Sequence, residues 1–127
     1  MGSSILTSAK AGTFLCTRDR ARAKAFYGET LGFKLKYDDE YAVVFDLNGT
    51  SLRISPINEF TPQPFTVLGW HVDDVRGTVE ALTAAGIAFA RFDGLEQDSL
   101  GIWSPGGYVE VAWFKDPDGN ILSVSNG

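Results

Sequence analysis

The side chains able to do chemistry are few enough to weigh singly. There is one histidine, His71, and one cysteine, Cys16, in 127 residues. His71 is either a pocket hydrogen-bonder or acid–base group, or a structural histidine with its partners satisfied. Cys16 reads as a small buried hydrophobe. Being single, it excludes an internal disulfide framework and any cysteine-rich zinc site. Arg53, between Leu52 and Ile54, can clamp a carboxylate or phosphate, or serve as a salt-bridged or rim arginine. Asp116 and Asp118 resemble catalytic carboxylates, but within Asp116-Pro117-Asp118-Gly119-Asn120 they are expected to accept from local backbone amides.

The elements that must position these residues come in echoes. Phe114-Lys115-Asp116-Pro117-Asp118-Gly119-Asn120 has a weaker counterpart in Phe45-Asp46-Leu47-Asn48-Gly49-Thr50, and each runs from an apolar strand through a tight turn into a short alternating strand. Upstream, Asp19 caps a helical pattern with Ala23, Phe26, Tyr27 and Leu31 on one face, stopped by Gly32. Asp74 caps another, with Val75, Val79 and Leu82 on one face, stopped by Gly86. Strands are expected at Thr13–Thr17, Lys34–Tyr37, Tyr41–Leu47 and Ser51–Pro56. A connector at 58–64 leads to a second set at Thr66–Val72, Ala88–Phe92, Gly101–Trp103, Tyr108–Phe114 and Ile121–Ser125. The reading is α+β: two tandem βαβββ modules, about 12–56 and 66–126, within a single domain spanning 1–127.

Composition narrows the function. Hydrophobic residues make up 44% and charged residues 21%, an ordinary globular balance. A formal net charge of −5 argues against a nucleic-acid partner and is compatible with a cationic ligand. No apolar run approaches the roughly 20 residues that cross a bilayer, so no membrane partner is expected. Met1-Gly2-Ser3-Ser4 lacks the basic start and apolar core of a signal peptide, and a cytoplasmic location is expected.

The chain resembles the vicinal oxygen chelate superfamily, the glyoxalase, bleomycin-resistance and extradiol-dioxygenase group. Asp19…Ala25-Phe26-Tyr27…Leu31-Gly32-Phe33, Val72-Asp73-Asp74…Leu82…Ala85-Gly86-Ile87 and the Asp116-Pro117-Asp118-Gly119-Asn120 turn carry the resemblance, in order, over nearly the whole length. It implies a glyoxalase-like open, curved half-barrel around a cleft. It also implies a divalent metal held at four places, seven residues before each capping Asp and four after each turn Gly. Those places hold Gly12, Val67, Arg53 and Ser123, none a histidine or carboxylate. A guanidinium repels a cation, and transition-metal sites need about three N, O or S donors, so no metal and no cofactor is expected. In the family's register Arg53, Ser123 and Trp113, with Val109 and Val111, face the cleft. His71 shares the strand face of Val67, roughly 13 Å further on.

The candidate ligand-binding residues are therefore Arg53, His71, Trp113 and Ser123. One reading is a metal-free member like the bleomycin-resistance branch, holding a small molecule in an apolar, aromatic cleft. The alternative is a lyase, isomerase or dioxygenase with an unconventional site, for which Lewis-acid catalysis would need the missing metal. A structural or interaction subunit is a third. A homodimer is expected, since open sheets leave edges and apolar surface to cover.

Overall fold

The Asn-Gly turn behaves as its residues demand. Asn48 and Gly49 both take positive φ, 56° and 100°, closing a two-residue hairpin in which Leu47 pairs with Thr50. Positive φ at both central positions matches the right-handed twist of the strands it joins. The computed structural model of the protein describes residues 5–127, so Met1–Ser4, read above for a leader, lie outside the described residues. The chain divides into two compact units within the expected connector, one ending at Phe60 and the next beginning at Thr61.

The first module contains β1 (Gly12–Thr17), α1 (Arg20–Ala25), β2 (Lys34–Asp38), β3 (Val43–Leu47) and β4 (Thr50–Pro56). The sheet order is β1-β4-β3-β2, with β1 parallel to β4 and the other pairs antiparallel. Asp19 caps α1 by accepting from the Arg22 amide at 3.2 Å. The helix then widens into a π turn over Phe26–Thr30, closed by Leu31 N–H to the Phe26 carbonyl at 2.9 Å. Glycine at 28 lets this turn press on the sheet, since a Cβ there would lie 3.2 Å from the Phe45 ring. Tyr27 and Phe45 are fully buried with Leu52 and Ile54, so one face of the sheet is covered by its own helix. Expected strand Tyr41–Leu47 starts later, at Val43, because the Asp39 carboxylate takes the Tyr41 and Ala42 amides at 2.8 and 3.0 Å and holds them in a turn.

The second module repeats the plan with β5 (Thr66–His71), α2 (Val75–Ala84), β6 (Val111–Lys115) and β7 (Ile121–Ser125). Its sheet order is β5-β7-β6, the first strand again parallel to the last. Asp74 caps α2 through the Gly77 amide at 2.9 Å. At the other end Gly86 takes φ 99° while Ile87 N–H reaches the Leu82 carbonyl and Gly86 N–H the Thr83 carbonyl, both at 3.0 Å. That is a Schellman stop, with Ile87 buried beneath it. Val75 and Val79 are buried where α2 meets β6 and β7.

The expected strands Ala88–Phe92 and Gly101–Trp103 shrink to isolated bridges, Phe89 with Phe114 and Trp103 with both Gln97 and Val111. Side chains replace the ladder there. Gln97 accepts from the Phe92 amide at 2.8 Å and donates to the Ala90 and Gly101 carbonyls at 2.9 and 2.8 Å. Asp98 accepts from the Leu100 and Ile102 amides at 2.9 and 3.0 Å. Backbone groups satisfied this way have no need of a strand partner. Likewise β6 begins at Val111 rather than Tyr108, because Asn126 takes the Glu110 amide and donates to the Tyr108 carbonyl. No helix among the described residues is long and apolar enough to cross a membrane.

Candidate functional site

Each sheet has a second face that its own helix leaves uncovered, and the candidate residues lie on these faces. In the second module, cross-strand pairing sets Gly69, Ser123 and Trp113 side by side across β5, β7 and β6. The Ser123 hydroxyl occupies the space above the bare Gly69 backbone, where a Cβ would come within 2.6 Å of Oγ. Trp113 is fixed at its polar end by an Nε1–H bond to Thr66 Oγ1 of 3.1 Å. Its ring meets the Phe92 edge at 5.5 Å and Trp103 at 6.1 Å between centroids. A cavity of about 260 Å³ opens beside it, walled by Phe65, Thr66, Phe92, Leu95 and Trp113. This is a mostly apolar recess with a pre-oriented indole, suited to a flat hydrophobic group.

His71 lies on the same face but away from Trp113. It pairs with Ser125, two residues and roughly 7 Å along β7 from Ser123. Its Nε2 is 3.2 Å from the Asn126 carbonyl, so the imidazole ties down the C-terminal segment. Trp70 belongs to the covered side, stacked on Phe114 at 6.2 Å. Val111 shares the face of Trp113, whereas Val109 precedes the strand and packs by Gly127.

The loop that carries Phe92 and Trp103 is braced against α2. Arg76 donates to Asp98 at 2.7 Å, and Arg91 donates to the Gln97 and Asp98 carbonyls. Burial pushes the Asp98 carboxyl up, but the Ile102 amide, the Arg76 guanidinium and the Leu100 amide outweigh it and hold it below the ordinary aspartate value. The hydrogen bond from Arg76 to Asp98 in turn raises the guanidinium.

In the first module, pairing lines up Phe14, Arg53, Val44 and Tyr37 in one row across β1, β4, β3 and β2. Arg53 Nη1 donates to Tyr37 Oη at 3.4 Å. A bulge between Leu35 and Tyr37 lets Lys36 reach Ser51 Oγ at 3.0 Å. Cys16 pairs with Ser55 on the same strands, half-buried. The structure thus brings Trp113 and Ser123 together, sets His71 apart from them, and puts Arg53 in the other module.

Thr66, Phe65, Phe92 and Lys36 were missed by sequence reasoning, as was Tyr37 as the partner of Arg53. Tyr37 and Lys36 depend on a bulge that no local pattern signals. Thr66 and Phe92 reach Trp113 only through tertiary pairing. Asp116 and Asp118 are buried, and the Asp116 carboxylate accepts from the Asp118 and Asn120 amides at 2.9 and 3.0 Å, which is a turn's bonding and no acid–base pair.

A family model for the Glyoxalase/Bleomycin resistance protein/Dioxygenase superfamily matches residues 10–124. No curated protein matches. Among solved structures, UcmS2 superposes with a TM-score of 0.71 at 22% identity, covering 94% of this chain and 98% of the other. A glyoxalase family protein from Enterococcus faecalis gives 0.71 at 19% identity, covering 93% and 97%. A bleomycin-binding protein complexed with bleomycin gives 0.69 at 22%, covering 94% and 99%. At these identities the likeness is one of fold, a glyoxalase-like α+β architecture.

The divalent metal usual for such folds is not matched by the donors present. Its four positions hold a glycine, a valine, a guanidinium and a serine hydroxyl. Among the described residues no three His, Cys, Asp or Glu side chains gather where they could hold an ion.

Proposed function

The chain belongs to the Glyoxalase/Bleomycin resistance protein/Dioxygenase superfamily, and from that premise we propose that it binds a small apolar, aromatic molecule without using the family's metal. The observation that carries this reading is the Trp113 recess. Its indole is held by Thr66, flanked by Phe92 and Trp103, and opens on a cavity of a size to take a ring system. A bleomycin-binding protein of the same fold, complexed with bleomycin, supports a small-molecule-binding role. Ser123, beside Trp113, offers a hydroxyl to the bound molecule. His71 acts from the rim of the same face. The protein works in the cytoplasm as a homodimer, and light scattering that finds only monomer-sized particles at micromolar concentration contradicts the dimer.

The binding reading is tested by nuclear magnetic resonance on nitrogen-15-labelled, EDTA-treated protein titrated with naphthalene-2-methanol, a neutral planar probe. Saturable movement of the Trp113 indole N–H signal is the expected result. An indole signal that stays in place removes the reading.

A further inference from the structure

Arg53 sits mid-sheet; the Asp39 carboxyl is held below its ordinary value first by the Tyr41 and Ala42 amides and more weakly by the Arg53 charge. Among the described residues no carboxylate comes within ion-pair distance of it; the ion pairs of this module join Arg20 and Lys24 to Asp38. Its one hydrogen bond, to Tyr37 Oη, is long at 3.4 Å. The nearby acids also bond to backbone: Asp39 accepts from the Tyr41 and Ala42 amides, and Asp46, paired with Ser51, from the Gly49 amide at 2.7 Å.

A second cation joins it. The bulge in β2 places the Lys36 ammonium on Ser51, and Ser51 lies two residues before Arg53 on the same face of β4, roughly 7 Å along the strand. On the other side of Arg53, its β1 partner Phe14 is 71% exposed. The Arg53 fork therefore lies beside an exposed aromatic ring, with the Tyr37 hydroxyl on its other side. On this face Arg53 and Lys36 stand alongside one acid, Asp46, which pairs with Ser51.

We propose that the first-module sheet carries an anion site of its own: a carboxylate, taken by Arg53 with Lys36 and Tyr37, on an aromatic body that lies against Phe14. The guanidinium fork matches a carboxylate in two parallel hydrogen bonds. The proposal concerns the first-module sheet alone and stands apart from the Trp113 recess.

The test compares 2-naphthoate with naphthalene-2-methanol on the full, EDTA-treated chain, in wild type, Arg53→Gln and Arg53→Lys. The expected result is naphthoate affinity about tenfold above the alcohol, with shifts at the Phe14, Val44 and Arg53 amides. That preference disappears in Arg53→Gln and is partly kept in Arg53→Lys. It also collapses between about 0.01 M and 1 M salt, as the screening length falls from about 30 to 3 Å. If Arg53→Gln fails to fold, Arg53→Lys and the salt series decide. Equal affinity for both probes, or a preference that survives substitution, overturns the anion site and leaves the Trp113 reading standing. Binding of neither probe overturns both.

Discussion

Ser123 Oγ fills the space that a side chain at residue 69 would need: a Cβ on Gly69 would stand 2.6 Å from it. The glycine and the serine are therefore one feature, and together they fix the floor next to Trp113. Gly69→Ala should lower stability by about 1–2 kcal/mol through overpacking. The double variant Gly69→Ala, Ser123→Ala should recover most of that loss, because the clashing oxygen is gone. Urea denaturation of the two single variants and the double measures the coupling, and strictly additive losses contradict the contact.

Trp113→Ala should weaken naphthalene-2-methanol binding by about 2 kcal/mol, the scale of a buried aromatic contact, while Trp113→Phe should retain part of it. Thr66→Val removes the partner of the indole N–H. It should cost about 1 kcal/mol of binding by loosening the ring. Calorimetric titration of the three variants ranks them.

Asp98 links the loop behind Phe92 and Trp103 to α2. Asp98→Asn keeps an oxygen for the Leu100 and Ile102 amides but removes the charge paired with Arg76. Because the folded carboxyl titrates below its ordinary value, its stabilisation is complete above the unfolded aspartate pKa of about 3.9. It is lost as pH falls through the lowered folded value. The melting-temperature gap between wild type and Asp98→Asn should thus be widest near neutral pH and close as pH drops below about 4. A gap unchanged across that range contradicts the assignment.

The metal expectation is tested separately. Protein purified without chelator should carry well under one zinc, nickel, iron or manganese per chain, and EDTA should leave its melting temperature unmoved. One tightly held transition metal per chain by elemental analysis would sink it.

Local chemistry made much of the fold legible. Asp19 and Asp74 cap their helices, and Gly32, Gly86 and the Asn48-Gly49 pair take the positive φ their patterns require. The sequence was less informative where side chains substitute for backbone partners. Gln97 and Asp98 turn two expected strands into a braced loop, and nothing in the periodicity of 88–103 announces that. The site divided in the same way. Trp113 and Ser123 follow from strand alternation after a recognisable turn. Thr66, Phe92 and Lys36 reach their places through pairing register and a bulge, which are properties of the assembled sheets.

The most direct measurement is the naphthalene-2-methanol titration of metal-free protein, followed at the Trp113 indole N–H. The account predicts a saturable shift that is identical with and without added zinc or manganese. An indole signal that does not move, or moves only when a divalent metal is supplied, contradicts a metal-independent binding face at Trp113.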